Sequence, residues 1–180
     1  MTANSFTSVS LDPPLILVCI DRHAATHDRI LSMGAFAVSV LGAGQERVAR
    51  HFADPGRSSG TAQFEAVACF PGQHTGAPLI SGALAWLECR LWRTYDGGDH
   101  SIFLGHLLAA HSRTAPDALV FLRGRYDRLA AAADDSRPSR GTAVTAWARH
   151  LVPAYPWIPG WPCAASAAWR SRGRRSGRTA

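Results

Sequence analysis

The longest pair of strands that the sequence predicts lies between residues 83 and 110, and it limits the chain to folds rich in β-structure. The segment ALAWLECRLWRTY (83–95) alternates over much of its length, and HSIFLGHLLAA (100–110) follows a glycine-containing turn at 96–98. Alternation with a period of two is typical of strands that bury one face, and short glycine turns join antiparallel neighbours. These residues therefore predict a long β-hairpin.

Shorter segments of strand length surround this hairpin. Residues 9–20 predict two strands separated by the triplet Asp-Pro-Pro at 12–14, because proline cannot donate to a strand ladder. Apolar runs and helical spacing predict further strands at 34–41, 63–70 and 118–126 and one helix at 45–53. Many short strands with a single helix predict a mainly β fold, a β-barrel with a helical insertion.

The charge of the chain is divided unevenly. Up to residue 135 there are 11 Arg and 13 acidic residues, whereas residues 136–180 hold eight Arg and no Asp or Glu, so the formal net charge of +6 comes from the tail. We predict a folded domain over 1–130 and an Arg/Ala/Pro/Trp-rich tail over 131–180 that is disordered or divergent. Nucleic acid is not expected as a partner, because no basic face accompanies the charge in the barrel.

Composition also bears on where the protein works. No apolar run reaches the roughly 18 residues that a membrane span needs, and the polar first ten residues carry no positive charge. We therefore expect neither a membrane segment nor a signal peptide. The four cysteines are far apart and form no C-x-x-C pair, which excludes zinc-ligand spacing and predicts reduced thiols in a cytoplasmic protein.

Three motifs are better explained by structure than by chemistry. GAGQER (42–47) superficially resembles a dinucleotide-binding loop, but Arg47 stands where the third glycine belongs, so we predict a strand-to-helix turn. His23 and His27 are four residues apart without an acidic or cysteine partner at ligand spacing, which predicts solvated loop histidines and no metal site. A nucleophile elbow of the G-x-S-x-G type is absent from the sequence.

Two stretches remain open to a functional or a structural interpretation. The opening TANSFTSVS is unusually dense in hydroxyl groups, although many β-proteins have an edge strand rich in Ser and Thr. In GGDH (97–100), Gly and Asp are ordinary turn residues, and this explanation leaves His100 unaccounted for.

Taken in order, these blocks resemble the flavin reductase family. TANSFTSVS, GAFAVSVL, GAPLISGALAWLECRL, GGDHSIFLG and LVFLRGRYDRL follow one another over roughly residues 1–129. The resemblance implies an FMN-binding split β-barrel of Greek-key type with a helical insertion, and we expect its first strand to be missing here. It also implies an NAD(P)H:flavin oxidoreductase that supplies reduced flavin to a partner monooxygenase and forms a homodimer. The alternative is a truncated, catalytically impaired flavin-binding protein.

The same resemblance assigns residues to the flavin, which is either FMN or FAD. Short neutral donors suit the rim of a flat ring, because each hydrogen bond contributes about 1 kcal/mol and charged groups would cost desolvation. The residues implied for the ring and ribityl chain are Asn4, Ser5, Thr7 and Ser8, with Thr2 close by. Those implied near the flavin phosphate are Cys19, Ile20, Asp21, Arg22 and Thr26, of which Arg22 would make a charge-assisted contact.

A further set is implied for the hydride donor, NADH or NADPH. His100 is the one catalytic residue predicted, and it would hold the nicotinamide beside the flavin. Asp99 would shape the turn and position His100, and Tyr126 would line the same cleft. Hydride transfer itself is chemistry that the two cofactors carry, so the protein's task is to orient them.

Overall fold

The structure is a computed structural model that describes residues 1–113 and 117–128. Its strands are β1 (Thr7–Leu11), β2 (Pro14–Asp21), β3 (Ala35–Val40), β4 (Cys69–Pro71), β5 (Pro78–Ile80), β6 (Ala85–Gly97), β7 (His100–Ser112), β8 (Leu119–Leu122) and β9 (Arg125–Arg128). Two α-helices, α1 (Ala25–Met33) and α2 (Glu46–Ala53), lie between them. The mainly β fold is therefore confirmed, whereas the predicted tail at 131–180 lies outside the described residues.

A five-stranded antiparallel sheet forms the body of the fold. Its strand order is β1-β2-β7-β6-β3, and two smaller sheets pair β4 with β5 and β8 with β9. The long hairpin predicted from the sequence is β6 and β7, and β2 pairs with β7 from Leu15 opposite His106 to Asp21 opposite His100. Because β3 pairs with β6 only as far as Arg90, the turn of the hairpin extends beyond the edge strand.

The largest core cluster lies on one face of this sheet. Alternate residues of β2 and β7 point into it, and α1 covers it with Ile30. The fully buried members include Ile16, Phe103 and Leu87. Burial of such side chains contributes about 1.5–3 kcal/mol each, which fixes the register of β2 against β7 and thus the position of every residue at the hairpin turn.

Helix α1 was not predicted, and it connects the end of β2 to the start of β3. The segment HAATHDRILSM has no clear apolar period, because His27 takes one of its two buried positions and Ile30 the other. The prediction for residues 42–47 is confirmed: a short 3-10 turn at Ala43–Gln45 leads from β3 into α2.

Two strand predictions were wrong in extent. Within the segment 63–70 only Cys69 and Phe70 lie in a strand, because Phe64 and Val67 pack against Phe52 instead of pairing with a neighbouring strand. The segment 118–126 is part of a hairpin that turns at Arg123 and Gly124, whose φ angles of 51° and 78° are left-handed. Glycine adopts this conformation without strain, so the dipeptide Arg-Gly was the overlooked turn signal.

The cysteines and helices bear on the remaining expectations. Cys19 and Cys89 are free thiols, and burial together with the charge of Glu88 raises the pKa of the Cys89 thiol. Cys69 is disulfide-bonded, which departs from the expectation that all four cysteines are reduced. In the described part of the chain, no helix is both long and apolar enough to cross a membrane.

Candidate functional site

The end of β2 and the turn of the β6–β7 hairpin are fastened together by Arg22. Its backbone N–H donates to the carbonyl of Asp99 at 3.0 Å, and its Nε donates to the carbonyl of Gly98 at 2.8 Å. Its Nη2 also forms an ion pair with the Asp96 carboxylate at 3.1 Å. The guanidinium predicted to meet a flavin phosphate therefore has a structural role as well, because it fixes the turn that presents His100.

His100 begins β7 directly after this turn and is held by the residue before it. Its Nδ1 lies 2.7 Å from Asp99 Oδ1, and its side chain is 43% exposed. The hydrogen bond with His100, together with the electrostatic interaction between the two side chains, lowers the pKa of the exposed Asp99 carboxyl. Because Nδ1 is turned toward Asp99, Nε2 is the ring nitrogen presented to a ligand.

The N-terminal hydroxyl segment meets β2 just before this turn. Ser5 Oγ accepts a hydrogen bond from the backbone N–H of Cys19 at 3.0 Å and donates to the carbonyl of the same residue at 3.1 Å. The pairing of β1 with β2 ends at Thr7, opposite Leu17, and beyond it the Ser5 hydroxyl takes the place of a neighbouring strand for Cys19. Asn4, Thr7 and Ser8 are exposed, which leaves their polar groups accessible to a ligand.

Helix α1 starts from the same place. Asp21 accepts a hydrogen bond from the backbone N–H of His23 at 2.7 Å, and Ala24 precedes the helix without any side-chain cap. The first N–H groups of an uncapped helix favour an anion, and Thr26 lies half-buried in that first turn. The structure therefore brings Ser5, Cys19, Ile20, Asp21, Arg22, Thr26, Asp99 and His100 to one end of the sheet.

Two predicted residues lie elsewhere. The hydroxyl of Thr2 donates to the carbonyl of Ala49 at 2.6 Å, which attaches this residue to α2. The ring of Tyr126 lies beneath the guanidinium of Arg50, at 5.0 Å from the ring centroid, also on α2. The β8–β9 hairpin joins the sheet after β3, at the Gly42–Ala118 bridge, and so lies at the opposite end of β7 from His100. Within one chain, the structure does not bring Tyr126 into the cleft beside His100.

The prediction that His27 is a solvated loop residue was wrong. This residue lies on α1 and is buried, and a hydrogen bond of 2.9 Å joins its Nε2 and Ser101 Oγ. The error arose because helix α1 was not predicted, so there was no reason to place His27 on a buried helix face. No group of three or more His, Cys, Asp or Glu residues within 1–113 and 117–128 is arranged to hold a metal ion.

Comparison with known proteins identifies the family. Residues 1–130 match the sequence model described as flavin reductase like domain. An NADH-dependent FAD reductase of Streptomyces globisporus is 53% identical over 137 residues, which cover 76% of this chain and 75% of that protein.

Solved structures agree with this match. BorF, the flavin reductase component of a bacterial two-component tryptophan halogenase, is 55% identical with a TM-score of 0.69, over 72% of this chain and 81% of that chain. The S. globisporus NADH:FAD oxidoreductase SgcE6, in complex with NAD and FAD fragments, is 50% identical with a TM-score of 0.69, over 74% and 79% of the two chains. The protein described here therefore belongs to the flavin reductase family.

Proposed function

We propose that this protein reduces FAD or FMN with NADH or NADPH and supplies the reduced flavin to a partner monooxygenase. The observation that carries the proposal is the convergence, at one end of the sheet, of the hydroxyl segment, the start of α1 and the His100 turn. The Streptomyces relative is named for NADH and FAD, so this pair is the first to test.

The residues at this end of the sheet suit a flavin. The exposed donors Asn4, Thr7 and Ser8 are short and neutral, as the rim of a flat heteroaromatic ring requires. The uncapped start of α1 with Thr26 offers N–H and hydroxyl donors to a phosphate, and Arg22 adds positive charge beside it. When bound, the flavin supplies a hydride acceptor and the nicotinamide a hydride donor.

The chain's own residues bind and orient the two cofactors. His100 presents Nε2 to the nicotinamide, because Asp99 holds the other ring nitrogen. Arg22 fixes the turn against β2, and Ser5 fixes the N-terminal segment against the same strand. Holding two reactants in the right geometry removes much of the entropic barrier, so rigid attachment of both segments to β2 is the protein's contribution to rate.

Three finer points complete the proposal. We infer a homodimer, in which Tyr126 of one copy could approach the cofactors of the other even though it lies far from His100 in its own chain. We also infer a cytoplasmic location. Service to an oxygenase-type partner is inferred by analogy with BorF, the flavin reductase component of a two-component halogenase.

The function is tested by following NADH oxidation by the purified protein with and without added FAD, and then with FMN. Turnover that requires both flavin and protein is the expected result. Flavin binding, seen as fluorescence quenching, without any NADH oxidation would contradict the proposal and favour a catalytically impaired flavin-binding protein.

Replacing His100 with alanine is expected to raise the KM for NADH about tenfold, because one hydrogen bond worth about 1.5 kcal/mol to the nicotinamide nucleotide is lost. The Kd for FAD should change less than about twofold. The control is His74→Ala, which removes an exposed imidazole. The backbone N–H of this residue, which donates to Glu88, is kept in the variant. Equal effects of His100→Ala on the two cofactors would contradict the assigned role.

A further inference from the structure

A buried hydrogen bond joins α1 to the start of β7. Among the described residues the buried polar or charged side chains are His27, Ser101 and Glu88, with exposed fractions of 8%, 3% and 0%. Glu88 binds the backbone of the loop between β4 and β5, as the hydrogen bonds from 73–75 show. The other two bind each other, with 2.9 Å between His27 Nε2 and Ser101 Oγ.

The position of this pair relates it to the candidate site. His27 directly follows Thr26, which lies in the first turn of α1, and Ser101 directly follows His100. The His27 ring is held on its other side by Asp28, whose Oδ1 lies 3.0 Å from Nδ1. The imidazole also packs against the Phe103 ring, with 5.3 Å between centroids and the two planes tilted by 55°. The imidazole is therefore fixed in orientation as well as buried.

Stability alone does not explain such a pair. Two apolar side chains of similar volume would pack at this position at little or no cost, since a buried polar pair must first be desolvated. A hydrogen bond differs from apolar contact because it has a direction and a length, and so it fixes one element relative to another. The pair thus fixes the first turn of α1 against the first residues of β7.

We propose that His27 is a positioning residue, which acts through Ser101 to set His100 relative to the start of α1. Arg22 fastens the turn to β2 from one side, and the His27–Ser101 hydrogen bond holds the strand that follows it from the other. This inference rests on the proposed function, because it gives the pair the task of holding His100, which binds the nicotinamide, at a fixed position relative to the first turn of α1, which binds the flavin phosphate.

The test compares variants that remove or keep the hydrogen bond. His27→Leu and Ser101→Ala remove it, whereas His27→Gln keeps a polar group near the position of Nε2. The readouts are the KM for NADH, the Kd for FAD, the melting temperature, and the amide hydrogen exchange of residues 98–101. Exchange is measured without cofactors, so it reports on the hydrogen bond even if the parent protein does not oxidise NADH.

We expect Ser101→Ala and His27→Leu each to raise the KM for NADH about tenfold and to leave the Kd for FAD within about twofold, as a displaced binding group would. The double variant should be no worse than either single one, because both remove the same interaction. His27→Gln should restore the KM to within about threefold of the parent. Exchange at 98–101 should speed up about fivefold in both disrupting variants.

The proposal is overturned if Ser101→Ala leaves both the KM and the exchange at 98–101 unchanged, or if His27→Gln is as impaired as His27→Leu. Should His27→Leu fail to fold, Ser101→Ala and His27→Gln still decide the question, because both make small changes. An inactive parent whose exchange responds as expected would contradict the proposed function and leave the link between α1 and β7 in place.

Discussion

Replacing Glu88 with alanine is expected to lower the free energy of unfolding by about 4 kcal/mol, because it removes the buried acceptor that binds several donors of the loop between β4 and β5. The carboxylate is fully buried on β6 and accepts hydrogen bonds from the backbone N–H groups of Gln73, His74 and Thr75 and from the Thr75 hydroxyl, at 2.7–3.1 Å. Urea denaturation of the parent and the variant measures the loss.

The matched control for this prediction is Glu88→Gln. The amide keeps one acceptor oxygen and turns an NH₂ group toward the remaining donors, so we expect about half the loss, roughly 2 kcal/mol. Gly72 packs directly on the carboxylate and leaves no room for a Cβ beside it. A loss under about 1 kcal/mol for Glu88→Ala would show that the loop does not depend on this carboxylate.

Replacing Gly105 with alanine is expected to cost about 3 kcal/mol of unfolding free energy, because the core of the sheet has no room for a methyl group there. A Cβ at this position of β7 would lie 2.5 Å from Phe36 Cζ and 2.8 Å from the Cβ of Cys89. The Cys89 Cβ is attached directly to the backbone of β6, so it cannot move aside without shifting the strand.

Gly44→Ala is the control for the same chemical change. A Cβ at Gly44, in the turn before α2, would meet nothing within 4 Å, and we expect its effect to stay within about 0.5 kcal/mol. Thermal and urea unfolding of both variants make the comparison. If the two substitutions destabilise the protein equally, crowding of the added methyl group by Phe36 and Cys89 is not the cause of the loss.

Regular alternation made the central strands predictable. The β6–β7 hairpin and the division of residues 9–20 into β1 and β2 follow from period-two patterns and from Pro13 and Pro14, and the structure has both. These are local signals, in which each residue's neighbours along the chain determine its face of the sheet. They were sufficient to place His100 at the start of a strand next to a turn.

The segment 63–70 and helix α1 could not be predicted correctly, because their conformations depend on tertiary contacts. Phe64 and Val67 lie in a segment of strand-like composition, yet they pack on Phe52 of α2, which no local pattern reveals. Helix α1 escaped notice because its buried face includes His27, a residue that pattern analysis counts as polar. A buried histidine satisfied by a distant serine is visible only once the helix and the strand are placed together.

The candidate site was likewise predictable in part. The family resemblance supplied its residues, and the strand register brought Asp21, Arg22, Asp99 and His100 together, because β2 and β7 pair residue by residue to their ends. The resemblance could not foretell that Arg22 is committed to Asp96 and Gly98, since that ion pair depends on the shape of the turn. The sequence also did not show that Tyr126 lies away from His100 within the single chain, because its hairpin attaches at the other end of the sheet.

The location of the flavin site is tested most directly by titrating FAD into the ¹⁵N-labelled protein and mapping the backbone amide shifts. We predict that the largest changes fall on residues 4–8, on 19–26 and on 98–101, the three segments that meet at the end of β2. Largest changes on α2 or on the β8–β9 hairpin, with residues 98–101 unaffected, would contradict this assignment.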